Sequence, residues 1–409
     1  MKRRSLLLPP GVHPSARPLL LARALRAFAD GYVAVLLPAY LIALGFGAWE
    51  VGVLATATLL GSACATLAVG AWGHRVHHHR LISGAALLMA VTGFAFGLAS
   101  SFWPLLLIAF VGTLNPSSGD VSVFLPLEHA RLADAAEGDA RTSLFARYSL
   151  LGSLSAAIGA LAAALPGHIA AFTGLSAPDS LRCMFVLYGL VGCAVWLLYR
   201  ALPAAQEALP PPRTPLGPSR PTVVRLAALF SLDSFAGGLV VNALMALWLF
   251  KRFDLSVAAA GRFFFCVGLC AAASQLAAPP LARRIGLVNT MVFTHIPASL
   301  CLIAAAFAPS MHLALALLIV RALLSSMDVP ARSAFVMSVV TPAERAAAAS
   351  FTNVPRSLAS AAGPVIGAAM FAGGLLAAPL VACGVLKIAY DLALWRAFRN
   401  TAAAPSKRD

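Results

Sequence analysis

Charge is what this sequence lacks. Only 11% of the residues are charged, and Asp and Glu together number 15. With 60% hydrophobic residues and a mean hydropathy of +0.85, there is too little polar surface to cover a water-soluble globule of 409 residues. The chain reads instead as a polytopic membrane protein. Paired cysteines are missing too. Cys64, Cys183, Cys193, Cys266, Cys270, Cys301 and Cys383 all fall inside or at the ends of apolar runs, without a CxxC, so they read as small packed hydrophobes rather than a disulfide framework. There is no HExxH, no GxSxG and no extramembrane segment large enough for a catalytic domain. Neither an enzyme nor a cofactor or metal centre is expected.

The 30 Lys and Arg give a net charge of +15, which in a soluble protein would point to nucleic acid. Here they gather in particular loops and read as topology, so no nucleic-acid partner is expected. At about 20 apolar residues per span, the chain divides into twelve: 21–45, 51–72, 81–100, 104–127, 142–165, 181–199, 223–250, 257–278, 288–308, 312–332, 347–371 and 375–396. If both ends are cytoplasmic, 22 of the 30 basic residues face inward, and only Arg182, Lys251, Arg252 and Arg262 face outward. Lys and Arg concentrate on the cytoplasmic side of membrane proteins, so this orientation in an inner cell membrane is the expected one. The Pro-rich stretch around Pro210-Pro211-Pro212 is a semi-rigid linker. The expected organisation is a cytoplasmic tail (1–20), a six-helix bundle (21–199), a cytoplasmic linker (200–221), a second six-helix bundle (222–399) and a tail (400–409). Met1-Lys2-Arg3-Arg4 with Leu6 to Leu8 looks like the start of a signal peptide, but Pro9, Pro10 and Pro14 interrupt it, hence the tail.

The two halves repeat. Ser117-Ser118-Gly119-Asp120-Val121 returns as Ser325-Ser326-Met327-Asp328-Val329, 208 residues later. Asp30 matches Asp233 at 203, and Arg141 matches Arg345 at 204, as do Ser153-Leu154 and Ser357-Leu358. A parallel six-plus-six repeat around a basic linker resembles the major facilitator superfamily over nearly the whole chain. The resemblance implies an all-α fold of twelve membrane helices in two pseudo-repeats, with spans one, four, seven and ten lining a central cavity. It also implies alternating-access transport.

Local motifs follow the family unevenly. The loop after span two, G-x-L-A-D-R-x-G-R-[RK] in the family, reads Gly70-Ala71-Trp72-Gly73-His74-Arg75-Val76-His77-His78-His79. Gly70 and Arg75 align, while His74 stands where the family has the acid that latches the cytoplasmic gate. The family's Arg of span four is absent, and a similar run, Arg321-Ala322-Leu323-Leu324-Ser325-Ser326-Met327-Asp328, lies in span ten. Gly363-Pro364-Val365-Ile366-Gly367 in span eleven is similar to the family's antiporter motif, which usually sits in span five.

A charge at the bilayer centre costs about 2.5–3.5 kcal/mol, so intramembrane ionisable residues are functional candidates. Setting aside the basic residues assigned to the two faces, the spans hold five acids, Asp30, Asp120, Asp233, Asp328 and Asp391, against four bases, Arg147, Arg321, Arg356 and Lys387. One carboxylate is in excess, which is what exchange of a proton near neutral pH requires. Asp30 and Asp233 fall near mid-membrane and are assigned proton or substrate binding, together with Arg321 and with Asn115, whose Asn-Pro step breaks span four. Asp120 and Asp328 lie nearer the cytoplasm and read as gate residues paired with Arg147 or Arg356. Lys387 and Asp391 are four apart and share a helix face, so an intrahelical ion pair is favoured over substrate contact. The histidine run and Cys266 with Cys270 are read as a lipid-facing basic loop and as packing, in preference to metal sites. Trp49, Trp103 and Trp248 read as an interfacial belt.

The sequence thus points to a monomeric secondary active transporter in the lipid bilayer. It would move a small-molecule solute with protons, with export favoured over uptake. A metal-ion exporter of the same fold and a transport-inactive sensor or scaffold are the competing readings.

Overall fold

The computed structural model describes residues 8, 11–117, 122–202, 216–341 and 344–399, and every regular element among them is helical. Among the described residues, ten helical segments are long and apolar enough to cross a membrane. Asp120, most of the linker and the expected tail at 400–409 lie outside the described residues.

The chain divides into two compact units. The first contains α1 (Ala16–Ala43), α2 (Ala48–Trp72), α3 (His78–Leu98), α4 (Phe102–Val111), α5 (Phe124–Asp134), α6 (Gly138–Leu161), α7 (Leu165–Thr173) and α8 (Ala177–Arg200). The second opens with α9 (Arg220–Gly238). Next comes α10 (Asn242–Phe253), which with residues up to Phe265 belongs to the first unit. The remainder of α11 (Val257–Ile285) and α12 (Leu287–Ala306), α13 (Met311–Ser325), α14 (Asp328–Val339), α15 (Arg345–Ala372) and α16 (Ala378–Phe398) complete the second unit.

In the first unit α1 packs along α6 and α8, and α3 packs along α8. These approaches depend on absent side chains: a Cβ on Gly159 of α6 would lie 1.9 Å from the Phe28 carbonyl oxygen of α1. The second unit repeats the device 204 residues on, where a Cβ on Gly363 of α15 would lie 2.3 Å from the Gly238 carbonyl carbon of α9. Backbone cannot move aside, so both crossings require glycine.

The span between Phe102 and Asp134 is broken. Pro116 lacks an amide proton, and the Asn115 Oδ1 accepts from the Ser117 amide (3.2 Å) and hydroxyl (2.7 Å), forming a side-chain turn. The released carbonyls find partners: Thr113 accepts from the Tyr188 hydroxyl at 3.0 Å, Pro116 from the Ala243 amide at 3.1 Å, and Ser117 from Asn242 Nδ2 at 3.0 Å. Satisfied in this way, irregular backbone is tolerated at membrane depth. The corresponding break in the second unit falls between Ser325 and Asp328.

The core of the second unit is built from helical stripes. Val223, Leu226 and Phe230 of α9, Val288, Met291 and Val292 of α12, Phe335 and Val336 of α14, and Tyr390, Leu394 and Phe398 of α16 pack together, all buried. Trp248 does not join an interfacial belt. It is fully buried in the first unit, whereas Trp49 and Trp103 are exposed.

Candidate functional site

Each of those four helices also carries a polar residue one helical turn from an apolar member of its stripe. Asp233 follows Phe230, His295 follows Val292, Arg332 precedes Phe335, and Asp391 precedes Leu394. The 3.6-residue period points them inward with the core side chains. Lys387, one turn before Asp391, joins them.

Asp233 is the hub. Its Oδ1 accepts from Lys387 Nζ at 2.6 Å and its Oδ2 from Arg332 Nη1 at 3.4 Å. Arg332 Nη2 also donates to Asp328 one turn away on α14, and the Arg332 guanidinium lies over the Phe230 ring. His295 Nδ1 lies 3.0 and 3.1 Å from the two oxygens of Asp391, a carboxylate with no exposure at all. Its Nε2 is 3.5 Å from Lys387 Nζ and 4.0 Å from Asp233 Oδ1. Counting the residues in this bonded set with a neutral imidazole, three carboxylates face two cations. One proton or one further cation balances it.

The first unit holds a different arrangement. Glu128 of α5, fully buried, accepts from Arg26 of α1, from Tyr148 of α6, and from Tyr199 of α8 at 2.5 Å. Arg26 also stacks 4.1 Å from the centroid of Phe124. One carboxylate and one guanidinium balance, and two hydroxyls complete the carboxylate's shell.

Asp233, Asp328, Lys387 and Asp391 are brought together. The intrahelical Lys387–Asp391 pair does not form: the shared face directs Lys387 to Asp233 and Asp391 to His295, each a tertiary partner. Asp328 bonds Arg332 rather than Arg147 or Arg356, while Arg356 Nε donates to Ser234 Oγ at 2.8 Å. Arg321 is half-buried on α13 near Cys301 and Cys383, and the helix break between Ser325 and Asp328 separates it from the helix that carries Asp328. Asp30 is half-buried one turn beyond Arg26 on α1, with Arg23 and Arg26 as its neighbouring charges; Arg147 is half-buried on α6. Asn115 is buried in the broken span; Gly70 lies in α2, and His74 and exposed Arg75 in the turn Gly73–Arg75.

Four participants escape a hydropathy reading. Arg26, Glu128 and Arg332 fall at the margins of the apolar runs, where they are taken for loop charges, and His295 is counted as neutral. The repeat held a signal for two of them: Pro126-Leu127-Glu128 and Pro330-Ala331-Arg332 stand 204 residues apart, the offset of Arg141 and Arg345.

Residues 19–364 match the family model of the Major Facilitator Superfamily. The chain belongs to the major facilitator superfamily. An uncharacterized membrane protein of Saccharomyces cerevisiae is 24% identical over 90% of this chain and 91% of its own length. Among solved structures, a bacterial homolog of the human lysosomal transporter Spinster superposes with a TM-score of 0.73 at 18% identity, covering 93% of this chain and 96% of that one. The nucleoside transporter NupG gives 0.72 at 15% identity (94% and 99% covered), and a D-xylose–proton symporter gives 0.71 at 15% (93% and 97%). At these identities the likeness shows the fold alone; the family match is what makes this a multi-pass membrane protein of a transporter superfamily. Within that fold, Gly363 of the antiporter-like run is the residue that lets α15 meet α9. The run therefore has a packing duty that does not by itself argue for export.

Proposed function

We propose that this superfamily member is a proton-coupled secondary transporter of a small solute, working by alternating access, with the coupling site in the polar cluster of the second unit. The observation that carries the reading is Asp233, a buried carboxylate shared by Lys387 and Arg332 within reach of His295. An ion pair serving only to hold helices together needs one partner; a carboxylate with several exchanges them at little net cost, which is what coupling to a proton demands. Asp30, in the repeat-related place on α1, is the second acid in the proposal. Asp328 with Arg332 is proposed as a gate. The solved symporter of D-xylose and protons shares the fold, which adds support for coupling but none for the sugar. The proposal extends to coupling and not to direction.

The test begins with a thermal-shift screen of the purified protein against metals, organic acids, amino compounds, sugars, nucleosides and drug-like cations. A solute that stabilises it is then followed in proteoliposomes. Wild-type protein accumulates or expels it under an imposed pH gradient. Asp233→Asn abolishes gradient-driven movement and retains solute exchange, because exchange does not require release of the proton. Full gradient-driven activity in Asp233→Asn and Asp30→Asn contradicts the proposal. Stabilisation by metals alone, with flux lost when Cys266 and Cys270 are replaced, favours the metal exporter.

A further inference from the structure

We propose that His295 and Lys387 are alternative partners of one oxygen of Asp233, exchanged by protonation of the His295 Nε2. The inference rests on the proton-coupled reading and names the group that takes up the proton.

Three distances carry it. Lys387 Nζ is 2.6 Å from Asp233 Oδ1, His295 Nε2 is 4.0 Å from the same oxygen, and the two nitrogens are 3.5 Å apart. An ammonium has three donors and no acceptor, so the imidazole nitrogen facing it is an acceptor. The neutral ring then carries its hydrogen on Nδ1, where both oxygens of Asp391 receive it. Buried Asp391 and the Tyr390 ring, edge-on at a centroid distance of 6.2 Å, fix the plane of the imidazole.

A proton arriving from water at Nε2 forms an N–H bond there and makes His295 a cation with two donors. It now faces Lys387 at a distance where like charges repel, and it offers a donor to Asp233 Oδ1. The Lys387–Asp233 hydrogen bond breaks, the His295–Asp233 bond replaces it, and the ammonium is released. Arg332 holds the other Asp233 oxygen in both states. The charged groups of the cluster around His295 are Asp391 and Lys387 from α16, Asp233 from α9, and Arg332 and Asp328 from α14; on α13, Arg321 has Cys301 and Cys383 as its neighbours. Loss of the proton reverses the exchange. His295 is thus the proton carrier of the cluster and Lys387 the group that moves.

The experiment needs no solute. Full-length protein in lipid nanodiscs, labelled with ¹⁵N-histidine, gives ring-nitrogen spectra in which His295 is assigned by difference from His295→Gln, or from His295→Asn should the first variant not fold. The neutral His295 ring is expected as the Nδ1–H tautomer, with Nε2 accepting from Lys387. In parallel, acetic anhydride labelling read by mass spectrometry follows Lys387 relative to exposed Lys251. On acidification the ratio rises severalfold in wild type and stays flat in His295→Gln. A neutral Nε2–H tautomer in wild type, or the same rise in His295→Gln, overturns the exchange. Neither outcome bears on gradient-driven flux, so the proton-coupled reading stands or falls separately.

Discussion

Glu128 and Arg332 stand at matching places in the two units, each two residues after a proline of the helix that follows a broken span, each bonded to its unit's first helix, and they carry opposite charges. In the first unit the base is on α1 and the acid on α5. In the second the acid is on α9 and the base on α14. The difference extends outward. Tyr148 and Tyr199 close the shell of Glu128 with neutral hydroxyls, whereas around Asp233 every further partner is a cation or can become one. One site is finished, the other is left with alternatives. Repetition has kept the packing, Gly159 and Gly363 at the same crossing, and has allowed the electrostatics to diverge.

The largest expected effect comes from breaking the closed pair. Arg26→Glu or Glu128→Arg alone leaves like charges buried together, a loss of about 3–5 kcal/mol, seen as loss of the folded species in size exclusion and thermal unfolding. The double swap restores part of the stability, because Arg26 and Glu128 bond each other, while the introduced glutamate then stands one turn from Asp30. Swapping Asp233 and Arg332 is not expected to restore it, since Lys387 would then face an arginine. Equal recovery at both sites would erase the contrast between the units. A smaller effect sharpens the shared part of the comparison: Gly159→Ala and Gly363→Ala each force backbone apart at about 1–3 kcal/mol, and their unfolding midpoints should fall by similar amounts.

The smallest effect lies at the entrances to α1 and α9. The first unit ties the chain before α1 to the end of α5 by a backbone bond, the His13 amide to the Ala135 carbonyl at 2.8 Å. The second uses a carboxylate: Glu344 accepts from the Ser219 and Thr341 hydroxyls at 2.6 Å each and from the Gly217 amide. Those hydrogen bonds, Ser219 foremost, hold its pKa down at about 2 against an ordinary 4.5. The stabilisation is therefore complete above 4.5 and lost as pH falls towards 2. Glu344→Gln should show a shallower acid dependence of the unfolding midpoint over that interval, and an unchanged slope would remove Glu344 from the account.

The repeat, the helical class and the superfamily were legible because they depend on long apolar runs and fixed offsets, which hydropathy and alignment of the chain with itself both detect. The partners of the buried charges were not. Spacing places Lys387 and Asp391 on one face, but a face does not choose between a neighbour on its own helix and Asp233 or His295 on others. Arg332 follows Pro330 at the end of an apolar run, which looks like a loop until α14 continues beyond it. Glu128 and Arg26 fail the same way, being charges at the edge of the run a hydropathy window detects although the helix extends past them.

A coupling site centred on Asp233 and a structural Arg26–Glu128 pair are told apart most directly by comparing gradient-driven flux with solute exchange in proteoliposomes for Asp233→Asn and Glu128→Gln side by side. Asp233→Asn is expected to lose gradient-driven flux and keep exchange, while in Glu128→Gln the two rise or fall together with the amount of folded protein. Selective loss of gradient-driven flux in Glu128→Gln, with Asp233→Asn still fully coupled, would contradict it.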